Sequence, residues 1–245
     1  MIITSLENEK IKNLVKLKDR KYRKKENKFL IETEHLVNEA LKENIVEELI
    51  INKDEQVNIN TNVPTIYVSK EIINRLSEME SPSNIMAVCK IPNKTLIGTR
   101  ILMLDEIQDP GNLGTIIRSA KAFNIDTIIL SPNTVDMYNS KVIRSTQGML
   151  FHTNIIVEEL DKMIDILKEK GIKIYGTKVD NGRDVCTLNN EEKSSFCLIM
   201  GNEGNGVSKE ILEKCDDFIY ISMNKDVESL NVGVATSILL YELNK

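Results

Sequence analysis

From residue 101 onward, short apolar runs alternate with longer segments whose apolar residues recur at helical spacing. The runs predict strands and the segments predict helices, because side chains line one face with a different period in each. Strands that are apolar on both faces and separated by helices predict a mainly parallel sheet covered on both sides, and hence an α/β fold. The predicted strands span residues 101–105, 126–131, 153–157, 172–177, 196–200 and 218–222, and the predicted helices span residues 112–123, 139–147, 159–170, 207–214 and 231–243.

Residues 1–92 predict a smaller α/β unit that precedes this sheet. Its predicted strands span residues 29–31, 46–51, 65–68 and 85–88, and its clearest helix spans residues 34–42. The segment 2–15 predicts a helix, since Leu6, Ile11, Leu14 and Leu17 are spaced for one helical face. Ser69 is expected to cap a further helix. The stretch 91–100 has the composition of a linker. We therefore expect two domains, residues 1–92 and residues 100–245.

The formal net charge of the chain is −5, but this charge is unevenly distributed. Residues 1–30 hold ten basic and four acidic residues, a balance of +6 that leaves −11 for the remainder. Salt screens charge over about 8–10 Å, so a phosphate responds to this local patch rather than to the total. The patch is either a phosphate-binding surface or a solvated helix face. Its central cations are Lys18, Arg20, Lys21, Arg23, Lys24 and Lys25.

Several classes of protein are excluded by composition. The uncharged run 229–241 has 13 residues, whereas a membrane-spanning helix needs about 20. The N-terminus lacks the apolar core of an export signal. The four cysteines are widely separated and distant from both histidines, which argues against a zinc or other metal site and against a disulfide framework. Free thiols without an export signal predict a cytoplasmic protein.

A loop with unusual residues follows the first strand of the predicted sheet, at the edge where open α/β folds bind ligands. In this loop, residues 109–118, Pro110 and Gly111 predict a turn. Asn112 is expected to cap the following helix, and Arg118 lies inside that helix. Taken alone, the loop is also compatible with an ordinary strand-to-helix turn that carries a surface arginine.

Two further loops follow later strands. Residues 201–206 contain three glycines in six positions, which permit positive φ and a close approach of a ligand to the backbone. Residues 221–223 are followed by residues 228–235, where Ser229 or Asn231 is expected to cap the last helix. Flexible turns and helix capping would also explain these residues, but three such loops at one sheet edge favour a binding site.

Together the three loops resemble the SpoU (TrmH-like) family of RNA ribose 2′-O-methyltransferases. The first family motif, an Asn followed by x-Gly-x-x-x-Arg, corresponds to Asn112, Gly114 and Arg118. The second, a strand ending in Gly-x-Glu-x-x-Gly, corresponds to Gly201, Glu203 and Gly206. The third, Ile-Pro-Met and then Ser-Leu-Asn-Val, corresponds to Ile221-Ser222-Met223 and Ser229-Leu230-Asn231-Val232, with Ser222 in place of the usual proline.

The N-terminal portion is similar to the small substrate-binding domain that precedes the catalytic domain in many family members. The matching segments are the lysine-rich start, residues 29–32, residues 36–37 and residues 81–88. Thr33 stands where a glycine is common. With this match the resemblance covers nearly the whole chain, and the basic patch 18–25 becomes a candidate RNA-binding surface.

The resemblance implies a fold and a cofactor. The fold is a SPOUT-type trefoil-knotted domain with a mainly parallel sheet, preceded by a small α/β RNA-binding domain, and the protein is normally a homodimer. The cofactor is S-adenosyl-L-methionine, whose adenine is held by backbone groups of the second and third loops. By position, the cofactor-binding residues would be Gly201, Gly206, Ile221, Met223 and Leu230.

The resemblance also implies methyl transfer to a ribose 2′-hydroxyl of RNA, and the type of N-terminal domain favours ribosomal 23S RNA over the alternative, transfer RNA. The catalytic residues would be Arg118, Asn112, Glu203, Ser229 and Asn231. A guanidinium stays protonated in proteins and is a poor base at pH 7, so we favour Arg118 as a clamp on an RNA phosphate. Direct deprotonation of the hydroxyl by Arg118 stays open. Glu203 is expected to orient Arg118, and Asn231 to position Arg118 or the ribose.

Two functions from other classes are the alternatives. An RNA-binding protein that has kept the fold but lost turnover is the first, and the presence of all five catalytic residues argues against it. An oxidoreductase that uses a nicotinamide cofactor would need the G-x-G-x-x-G fingerprint after its first strand, which this sequence does not have.

Overall fold

The computed structural model describes residues 1–179 and 182–245, and the chain forms two compact units. The first unit comprises Met1–Asn93 together with Tyr138–Phe151, and the second comprises Lys94–Met137 together with His152–Lys245. A segment from the middle of the chain thus completes the N-terminal unit. The functional division into domains at residues 92 and 100 stays a prediction.

The regular elements alternate along the chain. The strands are β1 (Ile2–Ile3), β2 (Lys28–Glu32), β3 (Val46–Asn52), β4 (Thr65–Val68), β5 (Ile85–Lys90), β6 (Arg100–Leu104), β7 (Thr127–Leu130), β8 (Ile155–Val157), β9 (Lys173–Thr177), β10 (Arg183–Asp184), β11 (Phe196–Met200) and β12 (Asp217–Tyr220). The helices are α1 (Glu9–Lys16), α2 (Arg20–Glu26), α3 (Glu34–Lys42), α4 (Lys70–Leu76), α5 (Pro110–Ala122), α6 (Ser140–Ser145), α7 (Met149–His152), α8 (Leu160–Glu169), α9 (Asn190–Ser194), α10 (Lys209–Leu212) and α11 (Val232–Leu243).

The first unit is built on a mixed sheet in the order β1-β4-β3-β5-β2. The pairs β1–β4 and β4–β3 are parallel, whereas β3–β5 and β5–β2 are antiparallel. Phe29 on β2 is fully buried. Its ring centroid lies 4.5 Å from that of Tyr138 and 6.2 Å from that of Phe151. The segment Tyr138–Phe151 is therefore part of the aromatic core of this unit.

Two N-terminal expectations need correction. The first residues do not begin a helix: Ile2–Ile3 pair with β4 as an edge strand, and α1 begins at Glu9, where the Asn8 side chain accepts the Lys10 N–H. Ser69 does occupy the N-cap position of α4, but its hydroxyl caps no backbone N–H and has no hydrogen-bond partner among the described residues. The N-cap position of Ser69 is therefore not sufficient for its hydroxyl to accept a backbone N–H.

The second unit contains a seven-stranded sheet in the order β10-β12-β9-β11-β6-β7-β8. Every pair of neighbouring strands is parallel, as the sequence predicts. The central strand β11 is buried along its whole length between β9 and β6. Side chains of β6, β9 and β11 form one core with α8 and α10. The carboxyl ends of the strands β6, β11 and β12 carry the three loops singled out in the sequence.

The last helix, α11, packs against α5. The Ser119 and Ser237 hydroxyls lie 2.7 Å apart between the two helices. A Cβ atom added at Gly233 would lie 3.3 Å from side-chain atoms of Thr115, so the glycine allows a close approach of the helices. None of the helices in the described residues is long and apolar enough to cross a membrane.

Two short elements near the edge of this sheet were not predicted. The strand β10 has two residues and α9 has five, too few to produce a periodic pattern. The Asn189 side chain and Glu192 form a reciprocal capping box at the start of α9. The Arg183 guanidinium also binds the Glu192 carboxylate, with N–O distances of 2.7 and 3.1 Å. Hydrogen bonds and an ion pair between polar side chains therefore stabilise this edge.

Candidate active site

A cleft of about 790 Å³ lies at the carboxyl ends of β9, β11 and β12. The walls come from the loop after β11 and from the segment between β12 and α11. The predicted site residues that line this cleft are Asn112, Gly201, Glu203, Gly206, Ile221, Met223, Ser229, Leu230 and Asn231. Of the predicted catalytic and cofactor-binding residues, Arg118 alone is not part of this lining.

The loop after β11 is a closed turn. The main chains of Asn202 and Gly206 exchange two hydrogen bonds of 2.9 Å, and Gly206 has a φ of +70°. The Asn202 side chain accepts N–H groups of Gly204 and Asn205 inside the turn. On the outside, the Asn202 amide donates to the Glu106 carbonyl at 2.8 Å. This loop is therefore held from within and also tied to the segment that follows β6.

Gly201 is needed by the loop itself. A Cβ atom at Gly201 would lie 2.0 Å from the main-chain carbon of Gly206 and from the nitrogen of Val207. A side chain at Gly201 would therefore collide with the backbone of the loop itself, which already fills that space. At Gly204 the nearest atom to an added Cβ is the Asn202 Oδ1 at 3.6 Å, an ordinary contact.

Asn112 connects all three loops. Its amide nitrogen donates to Glu203 Oε1 at 3.0 Å, and its Oδ1 accepts the Asn231 Nδ2 at 2.9 Å. The helix cap of α5 is Asp109 and not Asn112 as predicted, because the Asp109 carboxylate accepts the Asn112 N–H at 2.8 Å. With the cap supplied by Asp109, the Asn112 side chain is left to join the loops.

Glu203 receives a set of N–H donors. Besides Asn112, the main-chain N–H groups of Gln108 and Asp109 donate to its carboxylate at 3.1 and 3.0 Å. Burial pushes the pKa of Glu203 upward, but these hydrogen bonds outweigh burial and hold the pKa below its ordinary value. Glu203 is accordingly a charged anchor between the loop after β11 and the loop before α5.

The third loop ends at Asn231, which caps α11. Its Oδ1 accepts the N–H groups of Gly233 and Val234 at 2.9 and 3.2 Å, while its Nδ2 reaches Asn112. Of the two capping residues that the sequence allows, the structure thus selects Asn231. Ser229 is exposed on the cleft lining.

Arg118 stands apart from this network. It is exposed on α5, and its guanidinium makes no hydrogen bond or ion pair with any described residue. The expected contact between Glu203 and Arg118 is not formed within the chain, because the Glu203 carboxylate is held by Asn112 and by the 108–109 backbone. Arg118 is therefore available to a group from outside the chain.

Ser222, which occupies the position of the family's usual proline, is held by a hydrogen bond. The Ser222 hydroxyl donates to the Asp184 carboxylate at the end of β10. The Ser222 hydroxyl is the largest cause that lowers the pKa of Asp184, and the Cys186 N–H adds to it. Sequence reasoning missed Asp184, since it lies 38 positions from Ser222 and outside every motif.

A second missed residue is Asp105, which is almost fully buried at the end of β6. Its Oδ2 accepts the Ser208 N–H at 2.8 Å, and its own N–H donates to the Met200 carbonyl at 2.9 Å. Asp105 therefore holds both ends of the loop after β11. An acidic residue directly after the apolar run 101–104 was the signal that could have indicated it.

The cleft fits the cofactor expected from the resemblance. Its volume lies within the roughly 300–1,000 Å³ usual for small-molecule sites. Ile221, Met223 and Leu230 supply apolar wall, and Gly201 borders the cleft without a side chain, whereas the Gly206 main chain is bonded to Asn202 within the turn. Within residues 1–179 and 182–245, no group of three or more His, Cys, Asp or Glu side chains is placed to hold a metal ion.

The predicted RNA-binding cations differ in their exposure and in their hydrogen-bond partners. Lys21, Lys24 and Lys25 are exposed on α2, and Arg20 is half-buried. Arg23 is only 6% exposed and donates to the carbonyls of Leu17 and Lys18 at 2.8 and 2.7 Å. Lys18 donates to the carbonyls of Arg75 and Ser77, and burial lowers its pKa. Arg23 and Lys18 thus bind the first unit's own backbone.

A parallel sheet with two motif-bearing loops around a cleft, and a third joined to both through Asn112, is the arrangement of the SpoU class of methyltransferases. The family model described as the SpoU rRNA Methylase family matches residues 99–241. A second model, described as the MRM3-like substrate binding domain, matches residues 8–87. The chain belongs to the SpoU rRNA methylase family.

Individual relatives resemble the chain over its full length. It is 42% identical to the 23S rRNA (guanosine(2553)-2′-O)-methyltransferase RlmP of Bacillus subtilis (strain 168), over 98% of each chain. The AdoMet-bound rRNA methyltransferase of Sinorhizobium meliloti superposes with a TM-score of 0.86 at 26% identity, covering 99% of this chain and 97% of that one. An RNA 2′-O ribose methyltransferase superposes with a TM-score of 0.80 at 27% identity, covering 99% and 98%.

Proposed function

We propose that this chain methylates a ribose 2′-hydroxyl of 23S ribosomal RNA, with S-adenosylmethionine as the methyl donor. The observation that carries the proposal is the convergence of the three family loops on one cleft, joined through Asn112 to Glu203 and Asn231. A guanosine equivalent to the target named for RlmP is the proposed substrate, since that relative covers 98% of this chain.

The cleft residues would hold the cofactor. Gly201, Ile221 and Leu230 offer main-chain groups to its adenine, with Met223 packed beside them and Gly206 closing the turn that borders the cleft. S-adenosylmethionine supplies a methyl group bonded to a positively charged sulfur, which is already a good electrophile. The protein's task is therefore alignment of the ribose and removal of the hydroxyl proton. The Sinorhizobium relative, solved with AdoMet bound, supports this choice of cofactor.

Arg118 is the residue proposed to hold the RNA at the reacting ribose. A guanidinium that is exposed and without a partner among the described residues can bind a phosphate bidentately at little cost. That contact orients the adjacent 2′-hydroxyl and lets the phosphate help to accept its proton. Asn112, Glu203, Ser229 and Asn231 shape the rest of the site, with Asn112 and Asn231 as the amides that link α5 to α11.

We propose a homodimer whose contact surface includes α11. This helix is mostly apolar and its apolar residues are not confined to one face, a pattern typical of a helix that is largely buried. Nevertheless Val234 is 47% exposed and Tyr241 is 50% exposed. A second copy of the chain would cover them and lie beside the α5 surface that carries Arg118. We also propose that the second unit has the trefoil knot of the family, a proposal supported by the match of residues 99–241 to the SpoU family model.

The first unit is proposed to bind the RNA outside the reacting nucleotide. Its match to a substrate-binding domain and the exposed cations Lys21, Lys24 and Lys25 support this role. Arg20, which is half-buried on the same helix, is included in this proposal, whereas Lys18 and Arg23 bind main-chain carbonyls of the first unit. A cytoplasmic location follows from the proposed ribosomal substrate.

The proposal is tested by mapping 2′-O-methyl groups in 23S RNA from cells with and without the gene. We expect one methyl group to disappear, at a guanosine equivalent to position 2553 in the relative's name. Purified protein with labelled S-adenosylmethionine should restore it on RNA from the deletion strain. An unchanged methylation map, together with RNA binding but no transfer in vitro, would instead establish a binding protein without turnover.

A further inference from the structure

The cleft has an uneven distribution of charge. Among the described residues that line it, Lys178 is the only lysine or arginine, and the acidic residues are Glu203 and Glu228. The Glu203 carboxylate is already held by N–H donors from three residues. A ligand that brings a negative charge into this cleft therefore has one cationic side chain available among the described residues, Lys178.

The backbone of Lys178 is fixed on both sides. Its N–H donates to the Ile219 carbonyl of β12 at 3.3 Å. The preceding Thr177 hydroxyl donates to the Ile199 carbonyl of β11 at 2.9 Å. Lys178 thus leaves the sheet at a position defined by two neighbouring strands, directly beside the cleft wall formed by Thr177 and Ile219.

The ammonium group of Lys178 is not neutralised by a carboxylate of the described residues. Its Nζ lies 3.5 Å from the ring centroid of Phe218, and it makes no ion pair with any of them. A cation over an aromatic face keeps its full charge and its hydrogen-bond donors on the side away from the ring. The side chain is therefore both positioned and available.

We infer that Lys178 binds the carboxylate of the methionine end of S-adenosylmethionine. This inference rests on the proposed function, since it assumes that the cofactor occupies this cleft. The cofactor carries one carboxylate, and a carboxylate placed in a partly enclosed cleft needs a cation or N–H donors to offset its loss of water. Lys178 supplies the cation, and Phe218 holds the lysine stem in place.

The test compares two ligands that differ by this one group. S-adenosylmethionine and its decarboxylated analogue are titrated by calorimetry into the full-length wild-type protein and its Lys178→Met variant. The methionine keeps an apolar stem on Phe218 and removes the charge. We expect Lys178→Met to weaken S-adenosylmethionine binding by roughly ten-fold, the size of one charge-assisted hydrogen bond, and to leave the analogue unchanged.

Two control variants accompany this comparison. Lys178→Arg keeps the charge and should retain most of the preference for the carboxylated ligand. Lys209→Met removes a charge from an exposed lysine of the same unit that does not line the cleft, and should alter neither affinity. Thermal unfolding of each variant shows whether it is folded, and Lys178→Gln replaces Lys178→Met should the latter fail to fold.

Specific outcomes overturn the inference. Equal weakening of both ligands in Lys178→Met would mean that Lys178 supports the cleft only through Phe218. Unchanged affinity for both would mean that the carboxylate lies elsewhere, with the proposed function intact. Failure of the wild-type protein to bind S-adenosylmethionine at all would overturn the proposed function, and this inference with it.

Discussion

Asn112 illustrates how much of this site depends on single amide groups. Its nitrogen donates to Glu203 and its oxygen accepts from Asn231, so both ends of one side chain are committed. An amide is a compact group that can donate in one direction and accept in the other. A carboxylate in the same place would present an acceptor to Glu203, which is itself an acceptor held in its charged form.

We predict that Asn112→Asp disrupts the site while it leaves the size of the side chain almost unchanged. Loss of a donor and repulsion between carboxylates should cost about 1–3 kcal/mol of unfolding free energy at neutral pH. The cost should shrink as the pH is lowered and a carboxylate is protonated. Urea unfolding at pH 7 and pH 5 measures this. Equal stability of variant and wild type at pH 7 would mean that the Asn112–Glu203 bond contributes nothing.

Arg118→Ala should abolish methyl transfer and leave the affinity for S-adenosylmethionine within a few fold. The reason is that Arg118 is exposed on α5 and does not line the cleft. Lys121→Ala, which removes an exposed charge from the same helix, is the matched control and should stay active. Calorimetry and a methyl-transfer assay give the two readouts. Loss of cofactor binding in a folded Arg118→Ala protein would assign the residue to the cofactor instead.

Among the structural elements, the loop after β11 contains two glycines, Gly201 and Gly204, that have similar sequence surroundings but different space for a side chain. Gly201→Ala should destabilise the protein by roughly 1–3 kcal/mol or more, because the new methyl group meets the loop backbone at 2.0 Å. Gly204→Ala should change stability by less than about 0.5 kcal/mol, since its nearest neighbour is at 3.6 Å. Thermal unfolding compares them directly, and equal effects would contradict this geometry.

The hydrogen bond between Asp184 and Ser222, in the loop after β12, makes the stability of this loop depend on pH. The pKa of Asp184 is lowered by the Ser222 hydroxyl, so this carboxylate stabilises the loop above its ordinary pKa, and the contribution disappears as the pH falls through the lowered value. Ser222→Ala should move the pKa of Asp184 back toward its ordinary value. Ser222→Pro, which restores the family's usual residue, should raise it similarly. NMR titration of the Asp184 carboxyl carbon is the measurement, and an unmoved pKa in Ser222→Ala would contradict the assignment.

The cations of the basic patch on α2 fall into two groups, exposed lysines and the buried Arg23. Replacing Lys21, Lys24 and Lys25 with alanine should weaken RNA binding about equally for different RNA sequences. It should also flatten the dependence of log K on log salt by roughly 0.7–0.9 for each phosphate that the variant no longer binds. Cofactor affinity should stay unchanged. An unaltered salt slope would make these lysines a solvated face.

Arg23→Ala is the contrasting control in the same helix. This side chain is buried and donates to two main-chain carbonyls, so its removal should lower the stability of the first unit. Any weakening of RNA binding should then accompany unfolding, as followed by circular dichroism at the temperature of the binding assay. A fully stable Arg23→Ala protein with weakened RNA binding would return Arg23 to the RNA-contacting group.

For the molecule as a whole, apolar periodicity was enough to predict the parallel sheet, and β11 occupies residues 196–200 as expected. The residues that directly follow the predicted strands also predicted the positions of the three loops along the chain. Sequence could not show that Asp109 rather than Asn112 caps α5, because both residue types favour that position. It could not show the Ser222–Asp184 bond either, since spacing along the chain carries no information on contacts between distant loops. The knot and the dimer stay predictions.

The same limit applies to Tyr138–Phe151, which belongs to the first unit although it lies between two strands of the second unit's sheet. Helical spacing predicted the helix α6. It did not predict that Tyr138 and Phe151, which flank this helix, contact Phe29, because Phe29 is far from both of them along the chain. Local pattern thus located the element, and only the three-dimensional structure assigned it to a unit.

That assignment restricts how a gene for this protein can be cut or recombined. A fragment ending at residue 93 would lack the aromatic side chains that pack on Phe29, and a fragment starting at residue 94 would carry those side chains without their partner. Exchange of the N-terminal part between relatives by a single crossover would likewise bring together Phe29 and Tyr138 from different parents. With the first unit in its proposed RNA-binding role, a change of RNA specificity by shuffling would need two simultaneous exchanges, at both pieces of the unit.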